Sequence, residues 1–174
     1  MNLKDFRVVR SALILMLITL SFAAAVDAQK KTAAVLTGAE LPGIVPPGFY
    51  FEGQSAPTQM RNSAAARLIE KRNVVAGMVD TSGYSTEIRA KYEGFLITDS
   101  SIEIGGEILP TGAYGFGFTD AGKFNVFDVG GKRILSVNAA DDRVLRRPRP
   151  LMMSKAADGL RLYSGRGYVV VSIK

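Results

Sequence analysis

A chain of 174 residues, 47% hydrophobic and carrying a net charge of +6, contains no histidine and no cysteine. Those two absences remove Ser-His-Asp and Cys-His catalysis, zinc sites built on imidazole or thiolate, the lipid-attachment cysteine of a bacterial lipoprotein and every disulfide. Catalysis would have to run on carboxylate pairs, lysine, tyrosine or serine, and the fold must be held by its own core.

At the start, Lys4, Arg7 and Arg10 precede an apolar run from Ala12 to Val26, and Val26-Asp27-Ala28 offers small residues for cleavage. This is the pattern of a secretory signal peptide over residues 1–28, cut after Ala28. The run is shorter than the ~20 apolar residues of a spanning helix, so cleavage is favoured over an uncleaved anchor. The expected location is the periplasm or beyond, with membrane contact only through this segment. Its removal takes away three cations and two anions and leaves +5. That basicity suits anionic envelope polymers or lipid headgroups, but charge alone specifies no partner.

Residues 29–43, rich in Ala, Lys, Thr and Gly without a period, read as a flexible N-terminal arm. A single β domain is expected over 44–174. It opens on Ile44-Val45-Pro46-Pro47-Gly48-Phe49-Tyr50-Phe51-Glu52-Gly53, which shares I-x-P-x-G-x-Y-x-x-G with residues 108–117. The motif combines a proline-fixed turn, a glycine suited to positive φ and an aromatic at the head of a strand. Chance reuse of a turn and two related halves, beginning near 44 and 108, both fit it. Phe49–Gly53 reads as a strand, with 58–62 as its partner across Gln54-Ser55-Ala56-Pro57. Residues 63–72 carry helix formers behind a possible cap, Ser63, but fit a hairpin arm as well.

Val74–Val79 is a strand candidate, followed by a polar turn at Asp80-Thr81-Ser82-Gly83. Residues 86–98 alternate through Ile88, Ala90 and Tyr92 and read as a half-exposed strand bent at Gly94. Gly105-Gly106 between 102–104 and 107–109 is a two-residue hairpin signal. In the central stretch, Tyr114, Phe116 and Phe118 alternate with Ala113, Gly115 and Gly117, which puts three rings on one face and almost nothing on the other. A strand so bare must pass close to another backbone or ring. It leads a meander through 123–128 and 132–137, and further strands are expected at 151–154, 160–163 and 168–173. Short, evenly spaced strands with 18 glycines in the chain indicate an all-β fold, a small barrel or a sandwich of about 8–12 antiparallel strands, with at most one short helix near 63–72.

Four features bear on chemistry. Val79-Asp80-Thr81-Ser82-Gly83 is a near miss to the aspartic-protease turn, but Ser82 intervenes and no second copy supplies the partner carboxylate. Asp99, Glu103 and Glu107 fail the EF-hand pattern, since the twelfth position is Pro110, and read as the solvent side of a hairpin. Arg143, Arg146, Arg147 and Arg149 crowd a proline-containing link suited to phosphate or carboxylate, or to simple solvation. Finally, the aromatic residues either fill a core or line a site for a small apolar ligand.

The runs PPGFYFEGQSAPTQMRNSAAARL, GMVDTSGYSTEIRAKYEGFLIT and IEIGGEILPTGAYGFGF resemble small exported bacterial β-rich proteins of unassigned function, which carry an L-P-x-G-x-Y strand-entry motif. The resemblance implies export and a β-rich fold, and carries over no catalytic residue. No catalytic, cofactor or metal site and no nucleic-acid partner is expected. The reading is a non-enzymatic module for a small apolar or anionic envelope ligand, with Tyr114, Phe116, Phe118, Arg146 and Arg147 as its candidate contacts. A structural or protein-interaction component of the envelope is the alternative, and a carboxylate-dependent hydrolase the remote one. Intact-mass analysis of exported material should show a chain beginning at or near Gln29; a retained Met1 would instead mark an anchor.

Overall fold

In a computed structural model, which describes residues 33–68 and 71–173, the chain forms two antiparallel sheets. The strands are β1 (Ala34–Val35), β2 (Gly48–Phe51), β3 (Gln54–Arg67), β4 (Asn73–Val79), β5 (Gly94–Thr98), β6 (Ile102–Ile104), β7 (Glu107–Leu109), β8 (Gly112–Phe118), β9 (Lys123–Phe127), β10 (Arg133–Asn138), β11 (Ala140–Asp141), β12 (Arg149–Ala156), β13 (Gly159–Gly165) and β14 (Gly167–Ile173). The larger sheet runs β1-β3-β4-β5-β8-β9-β10 with β2 attached to β3, and the smaller β12-β13-β14-β6-β7 with β11 attached to β14. Among the described residues no strand of one sheet pairs with a strand of the other, so the expected all-β fold takes a sandwich-like form and not a closed barrel.

The large sheet is covered on both faces, and this explains why its central strands read as apolar runs instead of alternating. In β4, Val74 and Ala76 point into a core shared with the small sheet, while Val75 and Val79 point into a second core on the far side. The first core brings Ile102, Ile104, Leu160, Leu162, Val169 and Val171 of the small sheet against Leu96, Phe116, Phe124 and Val126. The second is closed by the β2–β3 hairpin, whose Phe51 stacks on Tyr92 at 4.0 Å, and by Phe49 stacked on Phe95 at 5.0 Å. Each fully buried ring of this kind contributes about 1.5–3 kcal/mol of transfer free energy.

The bare face of β8 is what admits that hairpin. A Cβ on Gly115 would lie 2.5 Å from the Phe51 ring, and one on Gly117 would collide with the backbone carbonyl of Lys91. The close approach expected from the glycines is therefore present on the second-core side. Gly105-Gly106 also forms its expected two-residue turn, with φ of 59° and 92°, joining Ile104 to Glu107.

Several local expectations are corrected. The hairpin after β2 turns at Glu52-Gly53, both left-handed at φ 44° and 86°, so Gln54-Ser55-Ala56-Pro57 is strand, paired with 48–51. Of the two readings open for 63–72, the hairpin arm holds over 63–67, which continue β3 because Ala64, Ala65 and Ala66 alternate between the two cores. The helical turn lies instead at α1 (Thr86–Arg89), where the Ser85 hydroxyl accepts a hydrogen bond from the Ile88 amide and caps it. Strand resumes only at Gly94. Gly48 and Gly112 each open a strand after the repeated motif, but neither has the positive φ expected of it. The expected arm is packed from Ala33 onward: Ala34–Val35 pairs with β3, and Leu36 and Leu41 are buried. The described residues hold fourteen strand segments, more than the 8–12 expected, because two-residue ladders at β1 and β11 carry no sequence signal. The signal segment, 1–28, lies outside the described residues.

Replacing Gly117 with alanine should destabilise the protein by about 2–4 kcal/mol, since the backbone it meets is fixed on both sides and cannot yield as a flexible side chain would. Urea unfolding of Gly117→Ala, beside Gly43→Ala as an exposed comparison with open space around it and no positive φ, measures this directly.

Candidate functional site

β12 runs beside β1 and β3, yet makes no ladder with either. Along this open seam lies a groove of about 490 Å³. Three short segments build it.

The first is an irregularity in β3. Thr58 pairs with Val79 and Ser63 with Gly77, so the four residues 59–62 stand opposite a single residue of β4. Side chains hold the irregularity in place: Gln59 Nε2 donates to the Val79 carbonyl at 3.1 Å, Asn62 Nδ2 donates to Gln59 Oε1 at 2.7 Å, and Ser63 Oγ donates to the Gln59 carbonyl at 3.2 Å. The result turns Met60 and Arg61 to the groove. The second is an irregularity in β12, where Arg149 pairs with Gly165 and Met152 with Tyr163, leaving one extra residue around Pro150. Proline lacks the ladder donor and is tolerated at such a place on an edge strand. The third is the turn after β1, where the Glu40 carboxylate accepts from the Thr37 amide at 3.0 Å and the Thr37 hydroxyl at 3.1 Å. These bonds hold the Glu40 carboxyl below its ordinary range.

The groove walls are mainly apolar, with Leu36, Leu41, Met60, Leu151 and Met153 prominent. Among the described residues its only ionisable side chains are Arg61 and Arg149, both exposed and neither paired with a described carboxylate. Guanidinium stays protonated in proteins, so these groups can bind an anion but cannot move a proton. The arrangement suits a molecule with an apolar body and an anionic end.

The residues singled out from the sequence lie elsewhere. Phe116 is fully buried, 5.7 Å from Phe124, and Phe118 packs 4.8 Å from Phe124 at the margin of the first core. Tyr114 is half-buried, its hydroxyl donating to the Pro110 carbonyl at 3.0 Å. The three rings share one face, as their spacing predicts, and none lines the groove. Arg146 and Arg147 are exposed on the segment between β11 and β12, and only Arg149 of that run reaches the groove. The groove's signals in the sequence were a proline inside an apolar strand and a polar Gln-Met-Arg-Asn interruption of a long one.

The acidic candidates also find local roles. Asp80 Oδ1 accepts from the Ser82 amide at 3.0 Å, which lowers its pKa and makes it the cap of a turn. Asp99 Oδ2 accepts from the Asn73 amide at 2.9 Å, tying β4 to the end of β5. Among the described residues no group of three acidic side chains is placed to hold a metal ion. Lys91 Nζ meets Glu52 Oε1 at 2.6 Å at the edge of the second core, where it fastens the β2–β3 hairpin to the segment after α1. The chain matches no protein-family model, no curated protein and no solved structure.

Glu93 is the carboxylate most affected by its surroundings. Burial raises its pKa, the Phe118 amide donating at 3.0 Å opposes the rise, and Asp120 adds to it. A carboxyl whose folded pKa exceeds its unfolded value stabilises the fold fully below the unfolded pKa and loses that contribution as pH rises through the folded one. Glu93→Gln keeps an acceptor for the Phe118 amide and removes the charge. The variant should therefore be more stable than the parent at neutral pH, with the difference shrinking as pH falls through the raised folded pKa and gone below the unfolded one. Thermal unfolding across that range checks the sign.

Proposed function

We propose that this chain is an exported, non-enzymatic β domain that binds a small amphipathic anion of the cell envelope. The apolar body lies in the groove and the anionic group meets Arg61 and Arg149. The groove itself is the observation that carries this reading: at about 490 Å³ it falls within the size range of small-molecule sites, and its charged groups are two arginines beside the neutral Thr37 and Ser63. Export rests on the basic and apolar N-terminal pattern, together with the resemblance to small exported proteins. The non-enzymatic reading rests on the chemistry of the wall, where arginine offers binding without proton transfer.

The rings at 114, 116 and 118 serve this function indirectly, by packing the first core on which the seam is mounted. Arg149 takes the role expected of Arg146 and Arg147 within the groove.

Palmitate supplies both halves of the expected ligand. Calorimetric titration should show saturable binding, and Arg61→Gln with Arg149→Gln should weaken it about tenfold per arginine, as loss of a charged hydrogen bond does. Hexadecanol, with the same chain and no charge, should be insensitive to both changes. Met60→Trp, which fills the groove from an irregular part of β3, should weaken both ligands. Absence of palmitate binding, or binding indifferent to Met60→Trp and to the arginine changes alike, would remove the proposal.

A further inference from the structure

The arginine-rich segment between β11 and β12 is held in one conformation from below. Arg166, in the turn between β13 and β14, directs Nη1 to the carbonyl oxygens of Asp142, Arg143 and Leu145 at 3.2, 3.1 and 2.7 Å. The Arg166 carbonyl accepts from the Asp142 amide at 2.9 Å, and the Tyr163 hydroxyl donates to Asp142 Oδ2 at 3.1 Å. The Leu145 amide returns to the Asp142 carbonyl at 3.3 Å and closes a turn, with Arg143 and Val144 at its tip. Pro148 and Pro150 restrict the chain on the way out.

This turn presents Val144 at 88% exposure, far beyond any other large hydrophobic side chain on the described surface. The turn and its clamp carry Arg143, Arg146, Arg147 and Arg166 against Asp141 and Asp142, an excess of two positive charges. Arg143 spends part of its charge on Asp141, 3.3 Å away, and Asp142 is engaged with Tyr163. Arg146 and Arg147 have no carboxylate partner among the described residues.

We infer that the 142–149 turn is a docking knuckle for an anionic phospholipid surface, with Val144 entering the headgroup layer and Arg146 and Arg147 lying on the phosphates. A soluble polyanion would use the arginines but gain nothing from an apolar tip held out in water. An interface that is anionic at its face and apolar beneath uses both. Because Arg166 fixes the turn beforehand, docking orders little chain and keeps its favourable terms. The inference stands on the turn alone and does not depend on the groove being a binding site.

The absence of cysteine permits a local test in the intact chain. An environment-sensitive dye is placed on Val144→Cys or, as a control on the far side of the large sheet, on Ser82→Cys, an exposed turn beside the second core. Vesicles of phosphatidylcholine alone are compared with vesicles containing phosphatidylglycerol. The dye at 144 should shift to the blue on the anionic vesicles only, lose the shift as salt is raised, and stay unshifted at 82. Arg146→Gln with Arg147→Gln should weaken anionic-vesicle binding by about 25-fold, or about fivefold for each cation removed. A dye at 144 that remains in water, or shifts equally on neutral vesicles, overturns the inference. Tight binding to dextran sulfate without any vesicle-induced shift also overturns it, and assigns the turn to a soluble polyanion.

Discussion

The close packing of the β2–β3 hairpin against β8 is the constraint on which the rest of the architecture depends. Strand β8 carries Phe116 into the first core and offers only hydrogen on its opposite face at Gly115 and Gly117. One bare position receives the Phe51 ring, and the other the backbone leading from α1 into β5. A methyl group at either site would push the covering layer outward and break the stacking of Phe51 on Tyr92. Glycine in a strand is intrinsically unfavourable, because it has more conformational entropy to lose and no side chain to pack. Here the loss is offset by rings that could not otherwise be dry. With no disulfide to hold the layers, this contact is how the second core acquires a roof.

That roof has a consequence for the other face. The first core needs the small sheet, and the small sheet is brought in by its own hairpins through β6, β7 and β12–β14. It meets the large sheet side by side along β3 and β12 without pairing, because both strands are irregular there: β3 over 59–62 and β12 around Pro150. The groove lies where these two irregular stretches face each other. Its positive rim follows in part from the same cause: Arg61 is one of the unpaired residues of β3 and is free to reach outward, while Arg149 stands opposite Gly165, which has no side chain to cover it.

The features legible in the sequence were those with a short-range physical signature. Gly105-Gly106 and Asp80-Thr81-Ser82-Gly83 turn where turn chemistry places them, and the alternation at 114–118 puts its rings together and its bare positions against a close neighbour. Misreadings arose where a distant contact overrode a local preference. Gln54-Ser55-Ala56-Pro57 looks like a loop by composition, but the left-handed Glu52-Gly53 pair makes the turn first and leaves those four residues to pair with β2. Ser63 with three alanines left helix and hairpin arm both open, and the hairpin arm prevails because alanine also lets a strand be buried on both faces between close-packed layers. The period of two at 86–92 competes with the Ser85 cap, and Tyr92 settles the matter by inserting beneath Phe51 at the end of a helical turn. The wall of the groove at Leu36 and Leu41 belonged to a segment whose composition carries no period at all.

The arginine run shows why the site was harder to read than the fold. Spacing in sequence gave Arg143, Arg146, Arg147 and Arg149 a common character, and the structure divides them by what lies underneath. Arg149 begins an edge strand that bounds the groove, while Arg143, Arg146 and Arg147 stand on a turn clamped by Arg166, which lies 21 residues beyond Leu145, the last carbonyl it holds. Neither environment is encoded locally, since the clamp is a set of backbone carbonyls and the groove wall comes from strands on the far side of the seam. A charge run therefore reports that a surface is cationic, and only the fold resolves it into separate surfaces with different neighbours. The apolar residue among the arginines carries more information than the arginines themselves: Val144 is held out into water by a turn built from hydrogen bonds, where a flexible link would have let it fold back against the sheet.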